Sequence, residues 1–329
     1  MQGNISLSEC KQHIDEAISA LCLDKKEPQG LYRAVDYILS LGGKRIRPVI
    51  TLIGCSLFSG RDVDAAVMPA VGMEIFHSFT LLHDDIMDRS NLRRGNPTVH
   101  KLWGENTAIL SGDVMSVLAF ECMSKCPVAV LSEVMSVFNR IAMGVMEGQQ
   151  YDMDFETAGE VSTEDYIRMI KLKTSVLIGG ALQIGALCGG ADSGEAFRLY
   201  GVGESFGIGF QIQDDILDTF GNEALLGKPI GGDIRENKKT WLWTRAMQDG
   251  SDEQKKRLID AGNIPELDFE VKFRKTIEIY NELDICGKAQ AEVESYFKEA
   301  HNRLDEVAVK EEQKTELRRF LNESIKRDK

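Results

Sequence analysis

The chain has 329 residues, 43% of them apolar, and a formal net charge of −13. The apolar content can bury a sizeable core, while the strong negative charge argues against nucleic acids and anionic membrane surfaces as partners. The seven cysteines form no CxxC pair, which predicts free thiols in a reducing compartment. No signal-peptide pattern opens the sequence and no uninterrupted apolar run has the length of a membrane span. We therefore expect a cytoplasmic protein without a stable membrane span.

Apolar residues recur at helical spacing through most of the chain. In chain order, the predicted helices cover residues 5–23, 31–41, 48–59, 65–88, 107–124, 128–151, 162–188 and 195–220. Residues 221–239 are rich in Gly and charge and are predicted to form a flexible loop, and amphipathic helices follow from residue 251. Clean strand alternation is absent. The expected fold is one all-α domain over residues 1–329, built from about ten or more packed helices.

An acidic signature, Asp-Asp-x-x-Asp, occurs twice, at residues 84–88 and again at residues 214–218. On a helix, positions i and i+4 lie on the same face, so each copy points at least two carboxylates one way. Like charges so close repel unless a cation lies between them. Oxygen ligands of this kind suit Mg²⁺, which completes its shell with water and phosphate oxygens. We therefore predict that the two copies together hold a diphosphate through several metal ions.

Two basic segments accompany the acidic copies. Residues 42–48 read Gly-Gly-Lys-Arg-Ile-Arg-Pro, and residues 93–98 read Arg-Arg-Gly-Asn-Pro-Thr. Cations beside a helix N-terminus make an anion site, and Arg forks bind phosphate oxygens bidentately. The first segment can equally be a solvated basic turn, and the arginines of the second can merely neutralise nearby carboxylates.

Isolated polar side chains interrupt the apolar helices of the middle of the chain. Lys173, Thr174 and Gln211 are of this kind, and a buried Gln is costly without a hydrogen-bond partner. Lys228 and Lys238 lie in or beside the Gly-rich segment, which could close over a phosphate ligand. Each lysine taken alone can also be an ordinary surface charge.

Taken in this order, the motifs resemble those of the trans-isoprenyl diphosphate synthases, the polyprenyl synthetase family. The resemblance spans roughly residues 42–241. It implies an all-α bundle around a deep central cavity, of the isoprenoid synthase type and usually a homodimer. It also implies Mg²⁺-dependent head-to-tail condensation of isopentenyl diphosphate with an allylic diphosphate. Only two residues separate the Asp pair from the third Asp in the first copy, whereas many bacterial relatives have four.

The resemblance also implies a role for each matching residue. Three Mg²⁺ ions would be held by Asp84, Asp85, Asp88, Asp214 and Asp218. Isopentenyl diphosphate would be bound by Lys44, Arg47, His77 and Arg94. The allylic diphosphate would be bound by Arg93, Lys173, Gln211, Lys228 and Lys238. The catalytic groups would be Asp84, Asp85, Lys173, Thr174 and Gln211.

Product length would depend on where the growing prenyl chain meets a wall. Phe76, Phe79 and Thr80 precede Asp84 on the same predicted helix, and Phe79 would lie roughly 7–8 Å from Asp84 along its axis. The two phenylalanines can also be ordinary core residues. In the family, an aromatic residue five positions before the first Asp marks short-chain enzymes. Thr80 at the fourth position favours a C20 over a C15 product.

Two other functions use similar motifs. A class I terpene cyclase has one Asp-rich motif, but its second metal motif is usually built from Asn/Asp, Ser/Thr and Glu. A non-catalytic subunit of a heteromeric prenyl synthase tends to lose one Asp motif. This chain keeps both copies and the basic segment at residues 42–48, which favours a catalytic prenyl synthase with two diphosphate substrates.

Overall fold

The secondary structure is almost wholly helical in the computed structural model, which describes residues 5–222 and 230–325. Its α-helices are α1 Leu7–Ser19, α2 Gln29–Ser40, α3 Ile46–Ser59, α4 Asp64–Met87, α5 Val99–Trp103, α6 Glu105–Met123, α7 Leu131–Thr157, α8 Thr163–Ile170, α9 Val176–Cys188, α10 Ser193–Phe220, α11 Gly232–Arg235, α12 Trp241–Asp249, α13 Asp252–Gly262, α14 Phe269–Glu282, α15 Ile285–Asp305 and α16 Glu311–Ile325. The prediction of an all-α fold with ten or more helices is confirmed.

Three local features differ from the predicted elements. The long helix expected over residues 162–188 is interrupted by a π-helix at Lys171–Ser175. Strands β1 Leu92–Arg93 and β2 Asn96–Pro97 form a small antiparallel hairpin that was not predicted from the sequence. The predicted flexible loop contains the short helix α11, while its residues 223–229 lie outside the described part of the chain.

The chain divides into two compact units, which are interleaved along the sequence. The first unit takes residues 5–140, 180–200 and 307–319, and the second takes 141–179, 201–222, 230–306 and 320–325. The single domain over 1–329 therefore stays a prediction, as does the deep central cavity.

The core of the first unit is centred on α4, which packs against α3 and α6. Successive residues of α4, including Met73, Ile75 and Phe76, are completely buried. A helix that is apolar on every side has to be surrounded by other elements. The C-terminal end of α4, which carries the first acidic motif, is thereby held on a rigid element.

The second unit has an aromatic core beneath α10. The Phe206 ring lies 5.6 Å from that of Phe297 and 5.3 Å from that of Phe320. Trp241, at the first turn of α12, is 2% exposed. Aromatic side chains bury large areas with few rotatable bonds, so the α10 segment that carries the second acidic motif also rests on a rigid base.

Within residues 5–222 and 230–325, three helical stretches are long and apolar enough to cross a membrane, judged by length and composition alone: Asp64–Met87, Val128–Thr157 and Thr163–Cys188. Isolated polar residues occur in each of them, so no uninterrupted apolar run marks them in the sequence. Within the most apolar window of each stretch, 67%, 39% and 83% of the residues respectively are buried inside the protein. The absence of a stable membrane span stays a prediction.

Candidate active site

The first acidic motif ends α4, and its members have different surroundings. Asp84 is partly buried and Asp88 is exposed; the Asp88 N–H donates to the Asp84 carbonyl at 2.8 Å, which places the two one helical turn apart. Asp85 is 2% exposed, and its carboxylate accepts a forked contact from Arg93, at 2.5 Å from Nη2 and 3.1 Å from Nε. Burial raises the pKa of Asp85, and Arg93 opposes that rise. The middle Asp is thus committed to a protein partner.

The hairpin after α4 fixes the two arginines of the second basic segment. Arg93 pairs with Asn96 across the hairpin, and the turn residues Arg94 and Gly95 have φ values of 55° and 76°. Two successive positive φ angles fit the type I′ turn, whose twist matches that of the strands it joins. The Arg94 guanidinium lies against Gly43, where an added Cβ would come within 2.6 Å of its Cζ. Gly43 is therefore required for this close approach.

A cluster of arginines surrounds His77. Arg47 Nη1 lies 3.0 Å from His77 Nε2. Burial, followed by the charges of Arg47 and Arg94, holds the pKa of His77 well below its ordinary value. The imidazole is therefore neutral, and its Nε2 accepts from Arg47. Three predicted isopentenyl diphosphate residues thus belong to one cationic cluster, while Lys44 is exposed beside it.

Arg45 has a structural role, whereas its neighbours Lys44 and Arg47 are predicted to bind substrate. The sequence alone did not show this difference. Its backbone is left-handed (φ 50°), and its side chain, only 6% exposed, pairs with the buried Glu74 at 2.6 Å. It also donates to the Leu39 carbonyl at 2.7 Å. A buried charge pair with further hydrogen bonds satisfies the conditions under which such a pair is tolerated.

The predicted chain-length residues lie in two environments. Phe76 is completely buried, with its ring 5.3 Å from that of Phe138, so it is a core residue in this structure. Phe79 is 7% exposed and its ring contacts the His83 ring edge-on at 4.8 Å. Thr80 is partly exposed and its hydroxyl donates to the His77 carbonyl at 2.8 Å. These environments favour Phe79 and Thr80 over Phe76 as wall residues.

The second acidic motif also commits its middle residue to protein partners. Asp215 is 3% exposed and accepts from the Tyr166 hydroxyl at 2.5 Å and from the backbone N–H of Trp241 at 3.1 Å. Burial raises the pKa of Asp215 above its usual range, and these donors oppose that rise. Asp214 is partly buried, and Asp218 accepts from the Asp233 N–H at 2.9 Å.

The π-helix presents Lys173 and Thr174. Lys173 pairs with Asp152 of α7 at 2.6 Å, and the Thr174 hydroxyl donates to Gln211 Oε1 at 3.0 Å. The π-helix approaches α7 closely at Gly148, where an added Cβ would lie 2.6 Å from the Lys173 Cα. Short π-helical insertions of this kind occur frequently at functional sites.

One cavity of about 110 Å³ in the second unit is lined by several of the predicted residues of that unit, by Asp215 of the second acidic motif and by residues that no motif marked; Asp214 and Asp218 are not in its lining. Predicted residues in its lining are Lys173, Thr174, Gln211 and Lys238. Further residues in its lining include Asp152, Tyr166, Asp215 and Asp233. Lys238 also pairs with Glu236 at 3.1 Å, and Lys228 lies outside the described residues.

The acidic motifs offer hard oxygen ligands to a cation. Over residues 5–222 and 230–325, no group of three or more His, Cys, Asp or Glu side chains is close enough to hold a metal ion. Mg²⁺ typically takes one or two carboxylates and completes its octahedron with water and substrate phosphates. Within each unit, the carboxylates present, Asp84 and Asp88 in one and Asp214 and Asp218 in the other, fit Mg²⁺ whose shell is completed by water and a substrate phosphate. The role of Asp85 as a metal ligand stays a prediction.

Comparison with known proteins gives a consistent result. A family model described as polyprenyl synthetase matches residues 28–277. The geranylgeranyl diphosphate synthase of Methanosarcina mazei is 44% identical over 241 residues, which cover 72% of this chain and 74% of that protein. The geranylfarnesyl diphosphate synthase of Aeropyrum pernix is 40% identical over 228 residues, covering 67% and 71%. A crystal structure of a geranylgeranyl pyrophosphate synthase matches with a TM-score of 0.93 and 37% identity, covering 99% of this chain and 100% of that one.

The chain therefore belongs to the polyprenyl synthetase family. Within it, the chain is a trans-prenyltransferase with the all-α isoprenoid synthase fold.

Proposed function

We propose that the protein condenses isopentenyl diphosphate head-to-tail with allylic diphosphates to give a short-chain all-trans prenyl diphosphate, with release of pyrophosphate. The observation that carries the proposal is the cavity in the second unit, where Lys173, Thr174, Gln211 and Lys238 converge beside the second acidic motif. Cations, a hydroxyl and an amide around one small cavity suit a reaction in which an anion leaves and a cation forms.

In the proposed reaction, the C–O bond of the allylic diphosphate breaks and negative charge builds up on the departing pyrophosphate. Lys173, Lys238 and Arg93 would bind its oxygens, and three Mg²⁺ ions, when bound through the acidic motifs, would supply further electrostatic stabilisation of the leaving group. That both motifs serve one diphosphate remains a prediction from the sequence.

The second substrate would be bound by the cationic cluster of the first unit. Arg47 and Arg94 can offer guanidinium forks to a diphosphate, and the neutral His77 accepts from Arg47. The isopentenyl double bond then attacks the allylic carbon, and the resulting cation loses a proton to the released pyrophosphate. Thr174 and Gln211 would place oxygen atoms near that positive charge.

We propose a C20 product in preference to a C15 product. Phe79 and Thr80 at the border of the first-unit core support a wall five and four residues before Asp84. The relatives named for C20 synthesis (geranylgeranyl) support the same length, while the Aeropyrum pernix relative, 40% identical, is named for a longer chain.

The test is incubation of the protein with Mg²⁺, isopentenyl diphosphate and each of the C5, C10 and C15 allylic diphosphates, followed by measurement of product length. We expect linear products that end at C20 from every accepted starter. A cyclic hydrocarbon formed from a C15 or C20 diphosphate without isopentenyl diphosphate would indicate a terpene cyclase instead. Activity that appears only when a second, different subunit is added would indicate a non-catalytic subunit.

We further propose that the protein acts in the cytoplasm as a homodimer. Helix α6 exposes Ile109, Leu110 and Val117, at 43%, 58% and 67% of their surfaces, and a group of exposed apolar side chains on one helix is consistent with an interaction surface. Light scattering after gel filtration tests the oligomeric state, and cell fractionation tests the location. A monomer at micromolar concentration, or a membrane-bound pool that salt does not release, would contradict these two proposals.

A further inference from the structure

A series of hydrogen bonds, buried at the Asp215 end and partly buried at the Thr174 end, links α8, α10 and the π-helix. The Tyr166 hydroxyl and the Trp241 N–H both donate to Asp215 Oδ2, at 2.5 and 3.1 Å. Gln211 Nε2 donates to the other carboxylate oxygen, Oδ1, at 3.4 Å. The Thr174 hydroxyl then donates to Gln211 Oε1 at 3.0 Å. All four side chains line the small cavity; Tyr166 and Asp215 are each 3% exposed, whereas Thr174 and Gln211 are partly exposed.

The donor-to-acceptor direction of this series of hydrogen bonds is set at its buried end. The backbone N–H of Trp241 can only donate, so Asp215 must offer it an acceptor oxygen. The tyrosine hydroxyl shares that oxygen, which turns the second carboxylate oxygen towards Gln211. With Asp215 ionised, both of its oxygens accept, so the amide of Gln211 presents its NH₂ group to Asp215 and its carbonyl oxygen to Thr174.

This direction determines what the Thr174 hydroxyl offers to the cavity. Its single hydrogen is used towards Gln211, so only oxygen lone pairs are left to face a ligand. If Gln211 were reversed, its NH₂ group would donate to Thr174, and the hydroxyl hydrogen would point into the cavity. Lone pairs stabilise an adjacent carbocation, whereas a hydroxyl hydrogen repels it.

We propose that Tyr166 is a positioning residue that acts through Asp215 and Gln211 to fix the direction of the Thr174 hydroxyl, so that its lone pairs face the allylic cation. The inference rests on the proposed function, because it needs a cation to form in this cavity. It assigns Asp215 to the protein framework and gives Tyr166, which no motif marks, a part in the chemistry.

The first test removes the tyrosine hydroxyl alone. Tyr166→Phe should lower kcat roughly tenfold and leave the KM of both substrates and the Mg²⁺ concentration for half-maximal rate within about twofold. Tyr280→Phe is the matched control, since Tyr280 is also 3% exposed in the same unit and donates no hydrogen bond to Asp215 among the described residues. The control should keep the wild-type kcat.

The second test reverses the direction of the hydrogen bonds through Gln211 and then restores it. Asp215→Asn should keep its remaining oxygen towards Trp241 and place its NH₂ group towards Gln211, which forces the Gln211 amide to turn over. We expect kcat to fall roughly a hundredfold. Adding Gln211→Glu restores the net charge of the wild type. It also supplies one acceptor oxygen to the new amide at position 215 and another to the Thr174 hydroxyl, so the double variant should be about tenfold faster than Asp215→Asn.

Three outcomes would overturn the inference while the wild type transfers prenyl groups normally. One is an unchanged kcat in Tyr166→Phe, and another is an equal loss in Tyr280→Phe. The third is a double variant no faster than Asp215→Asn, accompanied by a raised Mg²⁺ requirement, which would make Asp215 a metal ligand. A wild type that never transfers a prenyl group would instead overturn the proposed function, and this inference with it.

Discussion

Gly148 controls how closely the π-helix can approach α7, and its replacement by Ala tests whether that approach positions Lys173 and Thr174. The added Cβ would lie 2.6 Å from the Lys173 Cα and 2.7 Å from the Leu172 carbonyl carbon. Carbon atoms in contact prefer separations of about 3.5–4.0 Å, so the two backbones would have to separate by roughly 1 Å. Backbone atoms cannot rotate away as the end of a side chain can.

The magnitude follows from that displacement. A misplacement of about 1 Å can cost roughly a hundredfold in rate. Overpacking costs about 1–3 kcal/mol of stability, of which about 1 kcal/mol is offset because Ala favours a helix more than Gly does. Gly148→Ala should therefore lose kcat roughly a hundredfold while it remains folded.

The control lies one turn earlier on the same helix. At Gly144, an added Cβ would lie 3.5 Å from Val176 and 3.6 Å from Leu172, both through side-chain atoms, which is ordinary contact. Gly144→Ala should keep the wild-type kcat and gain up to about 1 kcal/mol. Steady-state kinetics and thermal unfolding of the two variants measure both effects. A Gly148→Ala enzyme with wild-type kcat would refute the idea that this close approach positions the catalytic groups.

Four further predictions concern the first unit. Phe79→Ala should shift the products to chains longer than those of the wild type, as measured by chromatography of the dephosphorylated alcohols. Asp84→Asn should lower kcat by a hundredfold or more, about 3 kcal/mol, and chelation of Mg²⁺ should abolish turnover reversibly. In the folded protein His77 stays neutral because its pKa is lowered, whereas in the unfolded protein it protonates near pH 6.5. As the pH falls below 6.5, the unfolded state therefore binds a proton that the folded state does not. The free energy of unfolding then decreases by at most about 1.4 kcal/mol per pH unit. The urea midpoint should accordingly fall less between pH 7 and pH 5.5 in His77→Gln than in the wild type. Arg45→Met should cost about 3–5 kcal/mol in unfolding free energy, because Glu74 would stay buried without its partner.

Each of these predictions has an outcome that contradicts it. An Asp84→Asn variant with the wild-type kcat would show that Asp84 is not needed for catalysis. An unchanged product profile would remove Phe79 from the chain-length wall. Full turnover in the presence of excess chelator would argue against metal dependence. Equal pH sensitivity of the urea midpoint in His77→Gln and the wild type would show that the folded imidazole titrates normally. An Arg45→Met variant as stable as the wild type would show that the buried pair contributes little to stability.

The helices were predictable because their apolar periodicity is strong and local. The π-helix was not, since it depends on the contact between Lys173 and Gly148, which are far apart in sequence. The hairpin at residues 92–97 was missed because its strands have two residues each, too few to show an alternating pattern.

The acidic and basic motifs could be recognised in the sequence, but the different roles of the residues within each motif could not all be predicted. Neighbouring residues on a helix point about 100° apart, so the two adjacent Asp side chains of each motif cannot point in the same direction. The partner of Asp215, Tyr166, lies 49 residues away and nothing in the sequence marks it, whereas the pairing of Asp85 with Arg93, eight residues away, was one of the two roles left open for that arginine. In the same way, the sequence could not show that Arg45 is committed to Glu74.

The most direct measurement of prenyl transfer is the stoichiometry of a single reaction mixture that contains the protein, Mg²⁺, isopentenyl diphosphate and a C15 allylic diphosphate. We predict one pyrophosphate released for each isopentenyl diphosphate consumed, with a linear C20 diphosphate as the product and no reaction after the metal is chelated. Pyrophosphate released while isopentenyl diphosphate remains unconsumed would contradict head-to-tail condensation.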